Sequence, residues 1–87
     1  MPLHAGGMVK QVNIAQRRVG KHIRELRRKR GWSQELLAAE AGLNINYLGG
    51  IERGERNPSL RNLAKIADAL GLTVPDLVEP LRASHQI

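Results

Sequence analysis

The chain of 87 residues contains no cysteine, so its fold depends on neither a disulfide nor a thiolate zinc site and is compatible with a reducing compartment. It also lacks any apolar run approaching the roughly 20 residues that span a bilayer. Residues 1–9 lack the long apolar region of a secretory signal. These absences predict a cytoplasmic protein that does not contact a membrane.

Groups suited to catalysis are sparse as well. His4, His22 and His85 are dispersed along the chain, and no paired carboxylate stands at metal-ligand spacing. No glycine motif follows a strand to cradle a phosphate, because the sequence has no strand candidate. Glu52 and Glu55 lie among arginines, which favours a charge cluster over an acid–base pair. We therefore expect no enzyme, no catalytic residue, no metal, no cofactor and no small-molecule ligand.

Positive charge is concentrated near the N-terminus. The formal net charge is +6, yet residues 1–30 contain nine Lys and Arg against one acid, and the remainder contains five against seven. A charge run is often only a solvated helix face, but clustered Arg also fits a phosphate-bearing partner, since neutralising phosphates releases counterions. The length allows one small domain.

Residues 33–53 predict two short helices joined at Gly42. Ser33 is a suitable N-cap for the first helix, Gly42 supplies the left-handed residue that ends it, and Asn44 caps the second. Apolar residues share one face across the joint: Leu37, Ala38, Ala41, Leu43, Leu48 and Ile51. The opposite face of the second helix is predicted to be free, and it carries Ile45, Asn46, Gly49 and Gly50. This pattern is typical of a helix-turn-helix.

One helix is predicted before this pair and another after it. Asn13 can cap a first helix that ends at Arg30, with Gln16 returning the capping bond and a core stripe of Val19, Ile23 and Leu26. Gly20 interrupts that helix, which predicts the close approach of a neighbouring helix. Ser59 can cap a fourth helix that ends at Gly71.

A short fifth helix is predicted to be capped by Thr73, with Asp76 as the capping-box partner, and to run through Leu77 and Val78 until Pro80 ends it. Between the first two helices, Trp32 is expected to fill the core, whereas Leu36 is expected to be exposed and could contact another chain. We thus predict an all-α, compact five-helix bundle with a helix-turn-helix. Its segments are a flexible N-terminal arm over 1–12, the helix-turn-helix domain over 13–81 and a C-terminal tail over 82–87.

The chain resembles the XRE-type family, the helix-turn-helix domains of phage repressors and Cro, over about residues 19 to 78. The resemblance depends on four separated motifs: Ser33-Gln34, Ala41-Gly42-Leu43, Ile51-Glu52-Arg53-Gly54 and Asn57-Pro58-Ser59-Leu60. It implies a lambda repressor-like fold, double-stranded DNA as partner and a structural role for Glu52. The short controller proteins of restriction-modification systems look similar, and a phage-type repressor is equally open.

Base contacts are expected at the free face of the second helix of the motif, because this helix enters the major groove by its N-terminal end. Asn46 can make bidentate hydrogen bonds to adenine, and Ile45 can pack on a thymine methyl. Gly49 and Gly50 offer no side chain, so we expect their backbone to sit deep in the groove. Alternatively, the two glycines indicate a protein that binds DNA with low specificity.

Contacts with the DNA backbone are expected around the second helix of the motif, which we call the reading helix. Gln34, near the N-terminus of the first helix of the motif, suits a phosphate, as the resemblance also implies. Tyr47 could reach a phosphate or pack half-buried. Further candidates for phosphate contact are Arg24, Arg28, Arg53, Arg56 and Asn57, among which Arg53 is the one most expected to be held in a salt bridge.

These features favour a sequence-specific transcriptional regulator, a repressor or autoregulator that binds a pseudo-palindromic operator as a homodimer. The dimer surface is predicted in the C-terminal region, at Leu72, Val74, Leu77, Val78 and Leu81, because apolar residues there exceed what a short last helix can bury. An alternative is an antitoxin of a toxin–antitoxin pair whose main partner is a protein. The lack of a long disordered tail counts against it.

Overall fold

The computed structural model describes residues 13–83, and their regular structure is helical throughout. Six helices follow one another: α1 (Ile14–Lys29), α2 (Gln34–Ala41), α3 (Ile45–Glu52), α4 (Leu60–Leu70), α5 (Val74–Leu77) and α6 (Glu79–Ala83). The all-α, lambda repressor-like architecture is confirmed, with one short helix more than predicted. The N-terminal arm over 1–12 and the last four residues lie outside the described part.

Side-chain caps begin the helices where the sequence predicted them. The caps of the first four helices accept from a backbone N–H two or three residues ahead, and they are Asn13, Ser33, Asn44 and Ser59. Thr73 and Asp76 form a reciprocal capping box at α5. One detail is wrong: Gln16 does not return the bond to Asn13, and its Nε2 instead donates to the carbonyl oxygen of Gly54 at 3.3 Å.

The fifth helix ends at Leu77, close to the predicted end, but the prediction that Pro80 ends it is wrong. Pro80 is the second residue of α6, whose helical turn continues through Ala83, two residues past the predicted domain boundary. Proline is tolerated in a first helical turn because the backbone N–H that it lacks has no partner there. Pro80 therefore follows the end of α5 and helps to begin another helix.

The core forms where the apolar sides of the first five helices meet. Its fully buried side chains are Ile23, Leu37, Leu48, Ile51, Ile66, Leu70 and Leu77. Val19 and Ile23 of the predicted α1 stripe are buried, and Leu26 is half-buried against the cluster. Trp32 also packs on this cluster, as predicted, with the Arg30 guanidinium 4.7 Å from its ring centroid.

Gly20 marks the closest approach between α1 and α3. A Cβ at this position would overlap the carbonyl oxygen of Ile51 and lie 2.9 Å from that of Glu52. The predicted close approach of a neighbouring helix is confirmed, and that helix is α3. This contact holds the C-terminal end of α3 against α1 and leaves its N-terminal end projecting.

The C-terminal apolar residues differ from the prediction in one respect. Leu77 has none of its surface exposed, because it belongs to the core of its own chain, so it is not available to a partner. The others, Leu72, Val74, Val78 and Leu81, are half-buried and pack on that core. Within residues 13–83, no helix is both long enough and apolar enough to cross a membrane.

Candidate nucleic-acid interface

Helices α2 and α3 form the bent pair that the sequence predicted. Gly42 ends α2 with φ 68°, a left-handed conformation that suits glycine, and Asn44 begins α3 two residues later. The Asn44 side chain accepts from the backbone N–H groups of Asn46 and Tyr47, at 2.7 and 3.2 Å. These bonds fix the first turn of α3, whose first two residues, Ile45 and Asn46, project from the domain.

These two residues are the predicted readers of base edges, and both are exposed. Ile45 retains 36% of its accessible surface although it is a large aliphatic residue, and Asn46 is exposed as well. No described hydrogen bond uses the Asn46 side chain, whose amide can donate and accept at once. The first turn of α3 therefore presents one apolar and one bidentate polar group side by side.

Tyr47 is half-buried and packs on the core, as one of its two predicted alternatives requires. Its hydroxyl oxygen accepts from Nδ2 of Asn62 on α4 at 3.0 Å. This bond joins the reading helix to α4 and leaves the hydroxyl proton of Tyr47 able to donate elsewhere. A phosphate contact by Tyr47 stays a prediction.

Gly49 and Gly50 do not lie on an open face, contrary to the sequence analysis. Both are buried, because side chains from outside α3 cross over them. At Gly49 a Cβ would lie 3.1 Å from Nη1 of Arg53 and 3.4 Å from Oε1 of Gln34, and at Gly50 it would lie 2.6 Å from Cγ of Arg56. The missing side chains make room for these three residues, so a base contact by either glycine stays a prediction that requires them to move.

Arg27 and Glu52 form a buried ion pair beneath this surface. Nε and Nη2 of Arg27 donate to the two carboxylate oxygens of Glu52 at 2.8 and 3.0 Å. Nη1 of Arg27 donates to the carbonyl oxygen of Trp32 at 2.8 Å. The hydrogen bonds to Glu52 raise the pKa of the Arg27 guanidinium above its ordinary value, although burial acts to lower it. The structural role implied for Glu52 thus has a defined partner.

Arg27 is the residue that sequence analysis missed. A signal was present, because Arg27 lies four residues after Ile23 and therefore on the apolar stripe of α1, where an unpaired charge would be costly. Gln34 belongs to the same network, since its Nε2 donates to Oε1 of Glu52 at 3.1 Å. The network orients Gln34 at the N-terminus of α2.

The arginines after α3 occupy different environments. Arg53 forms a salt bridge to Glu55 at 3.1 Å with both side chains about 60% exposed, which confirms the expected pairing. Arg56 is exposed, but its stem lies on Gly50 and its guanidinium is 6.0 Å from the Tyr47 ring centroid. Asn57 is exposed in the loop that follows. Arg56 is therefore held beside the reading helix.

The predicted α1 arginines lie one helical turn apart on the same side of their helix, but they line different grooves. Arg24 lines a groove shared with Gln34 and Arg53, whereas Arg28 lines a second groove with His22 and Glu25. Arg24 thus lines the groove beside the C-terminal end of α3. Among residues 13–83, no group of three His, Asp or Glu residues is placed to hold a metal ion.

Comparison with known proteins gives consistent results. Residues 23–77 match the family model HTH_3, described as helix-turn-helix. Control protein C.BamHI from Bacillus amyloliquefaciens is 46% identical over 61 residues, covering 69% of this chain and 75% of that protein. The uncharacterised HTH-type transcriptional regulator y4dJ from Sinorhizobium fredii is 42% identical, covering 71% of this chain and 80% of its own. The crystal structure of the restriction-modification controller protein C.AhdI from Aeromonas hydrophila superposes with a TM-score of 0.73 at 45% identity, covering 75% of this chain and 98% of that one.

Proposed function

The chain belongs to the helix-turn-helix family HTH_3 of non-enzymatic, DNA-binding transcriptional regulators, and on that premise we propose that it is a sequence-specific repressor or autoregulator. It binds a pseudo-palindromic operator in the cytoplasm as a homodimer. The observation that carries the proposal is the exposed first turn of α3, where Ile45 and Asn46 project beside a surface rich in arginine.

Base reading is assigned to these two residues. Helix-turn-helix proteins place the N-terminal end of the second helix in the major groove. There, the Asn46 amide can pair with N6 and N7 of adenine, and Ile45 can cover a thymine methyl. A half-site containing A·T pairs is the expected target. With Gly49 and Gly50 covered, the second half of α3 adds little direct readout in this arrangement.

Backbone contacts are assigned to polar groups around α3. The Gln34 amide uses one of its two N–H donors on Glu52, so the other is available to a phosphate oxygen near the N-terminus of α2. Tyr47 keeps its hydroxyl proton for the same purpose. The remaining proposed phosphate contacts are Arg24, Arg28, Arg53, Arg56 and Asn57, all exposed.

Dimerisation is proposed through the half-buried C-terminal residues Leu72, Val74, Val78 and Leu81. One domain reads few bases, so two half-sites about one helical turn apart, roughly 34 Å, are the usual solution. Sedimentation at micromolar concentration should show a dimer that Val78→Asp weakens. Leu60→Ser, which changes an exposed leucine on α4, should leave the dimer intact. A native monomer under these conditions would refute this part of the proposal.

Occupancy of the operator would then act by occluding or positioning RNA polymerase, with protein concentration as the controlling variable. The controller role of the two restriction-modification relatives and the role of a phage-type repressor are both compatible with this mechanism. Selection of bound duplexes from a random DNA pool tests it directly. The proposal predicts enrichment of two inverted half-sites at a fixed spacing, and a pool without enrichment would contradict it.

A further inference from the structure

A basic groove runs between the first half of α1 and the C-terminal end of α3. Its volume is about 770 Å³. One wall carries four cations of α1, and the other carries Gln34 and Arg53. The four cations are Arg17, Arg18, Lys21 and Arg24, all of them exposed. A concave surface with this many positive charges suits a partner with repeated negative charges.

The groove is not neutralised from within the described part of the chain. Its own carboxylate, Glu52, is already paired with Arg27, and Arg53 pairs with Glu55. Over residues 13–83 these are the two ion pairs, so none of the four α1 cations has a carboxylate partner there. Arg17 and Lys21 are four residues apart on one helix, a spacing at which like charges repel. An external anion would relieve that repulsion.

One of these cations is fixed in place by packing. The stem of Arg17 lies on Gly54, where an added Cβ would be 2.6 Å from its Cγ, and Gly54 itself has φ +78°. The neighbouring Gln16 donates to the carbonyl oxygen of Gly54 at 3.3 Å. The start of α1 is therefore attached to the loop that follows α3. This attachment holds the stem of Arg17 at one end of the groove.

The position of the groove relates it to a particular part of the DNA. Gly20 packs α1 against Ile51 and Glu52, at the opposite end of α3 from Ile45 and Asn46. Seven residue steps separate Ile45 from Glu52, about 10 Å at 1.5 Å per residue. Arg17 and Arg24 are about 10 Å apart along α1, enough to reach roughly two neighbouring phosphates of one strand.

We infer that this groove binds the DNA sugar-phosphate backbone outside the half-site read by α3, through Arg17, Arg18, Lys21 and Arg24. The inference rests on the proposed function, since it takes DNA as the partner. It adds Arg17, Arg18 and Lys21 to the contact surface and extends the footprint of each protomer. Binding at this flank is electrostatic and independent of sequence.

The test compares two duplexes that share the sequence selected by the native protein from a random pool. The short duplex ends at the outermost base pairs that selection fixes, and the long one continues for about ten further base pairs on each side, one helical turn. The groove variant is Arg18→Gln/Lys21→Gln, and the control is Lys29→Gln/Lys65→Gln. Both remove two exposed positive charges, and neither control position lines the groove. Gln has a helix propensity close to that of Lys and Arg, so all of these proteins should fold.

For the groove variant, binding to the long duplex should weaken, and the slope of log affinity against log salt should fall by about 2, one for each lost phosphate contact. On the short duplex it should bind like native protein. Equal losses on both duplexes, or a groove variant that matches the control, would overturn the inference while leaving sequence-specific binding intact. Failure of the native protein to select any sequence would instead contradict the proposed function.

Discussion

Arg27 on α1 donates two hydrogen bonds to the carboxylate of Glu52 at the end of α3, and both side chains are almost completely buried. The pair joins the reading helix to the most basic helix of the protein. Through Gln34, which also donates to Glu52, it reaches the N-terminus of α2. Three elements of the DNA-binding surface thus share one carboxylate, so their relative positions depend on a single buried charge.

Glu52→Gln should destabilise the fold strongly. It leaves the Arg27 guanidinium buried without a countercharge, and breaking such a pair costs about 3–5 kcal/mol. The measurement is urea denaturation. The matched control is Glu55→Gln, which removes the exposed partner of Arg53 and should cost less than about 1 kcal/mol. Equal losses for the two variants would mean that the buried pair does not hold the helices together.

Gly20→Ala should destabilise the protein although alanine favours helices by about 1 kcal/mol. The new methyl group would meet the backbone oxygens of Ile51 and Glu52, which cannot move without shifting α3. We expect a net loss of about 1–3 kcal/mol in denaturation experiments. Gly49→Ala is the comparison, because there the methyl group meets the ends of the Arg53 and Gln34 side chains at 3.1 and 3.4 Å, and side-chain ends shift more easily than backbone. It should be close to neutral, and a Gly20→Ala protein as stable as Gly49→Ala would disprove the close contact.

Gly50→Ala should weaken DNA binding with little effect on stability, because the added methyl group displaces the flexible stem of Arg56. If Arg56 contacts a phosphate, the loss should apply to all sequences, and the slope of log affinity against log salt should fall by about 1. A double-mutant cycle isolates the mechanism. Gly50→Ala should have no further effect in an Arg56→Ala background, and additive losses would show that the glycine acts independently of Arg56.

Asp76→Asn should lower the thermal stability in a way that depends on pH. The hydrogen bonds from Thr73 lower the pKa of the Asp76 carboxyl below its ordinary value of 3.8. A depressed pKa stabilises the fold fully above the unfolded-state value, and this contribution disappears as the pH falls through the folded-state value. The difference in Tm between native and variant should therefore be constant near neutral pH and shrink below about pH 4. A difference that persists unchanged to pH 2 would exclude the charged cap.

Capping and helical spacing, which depend only on nearby residues, were sufficient to predict much of the fold. Every predicted cap from Asn13 to Thr73 begins a helix, because capping depends on a few neighbouring residues. The stripe of Val19 and Ile23 is buried because helical spacing alone determines which residues share a face. The role of Pro80 could not be predicted locally, since proline both follows helix ends and occupies first turns, and here Leu81 of the added turn packs on the core.

The surface around α3 was harder to predict, because side chains distant in sequence build it. Gly49 and Gly50 looked bare, yet Gln34, Arg53 and Arg56 cover them. Periodicity assigns faces to a helix but does not show which loop side chains fold back over it. Arg27 was missed for a related reason, since its carboxylate partner is 25 residues away.

The central claim is that the first turn of α3 lies against base edges, and the most direct test is the binding of Asn46→Ala to selected and to random-sequence DNA. The account predicts a loss on the selected duplex of about 1–3 kcal/mol, with preference relaxed at one base position and binding to random sequence nearly unchanged. Arg56→Ala should instead weaken binding to both duplexes. Equal losses for Asn46→Ala on the selected and random duplexes would contradict the claim.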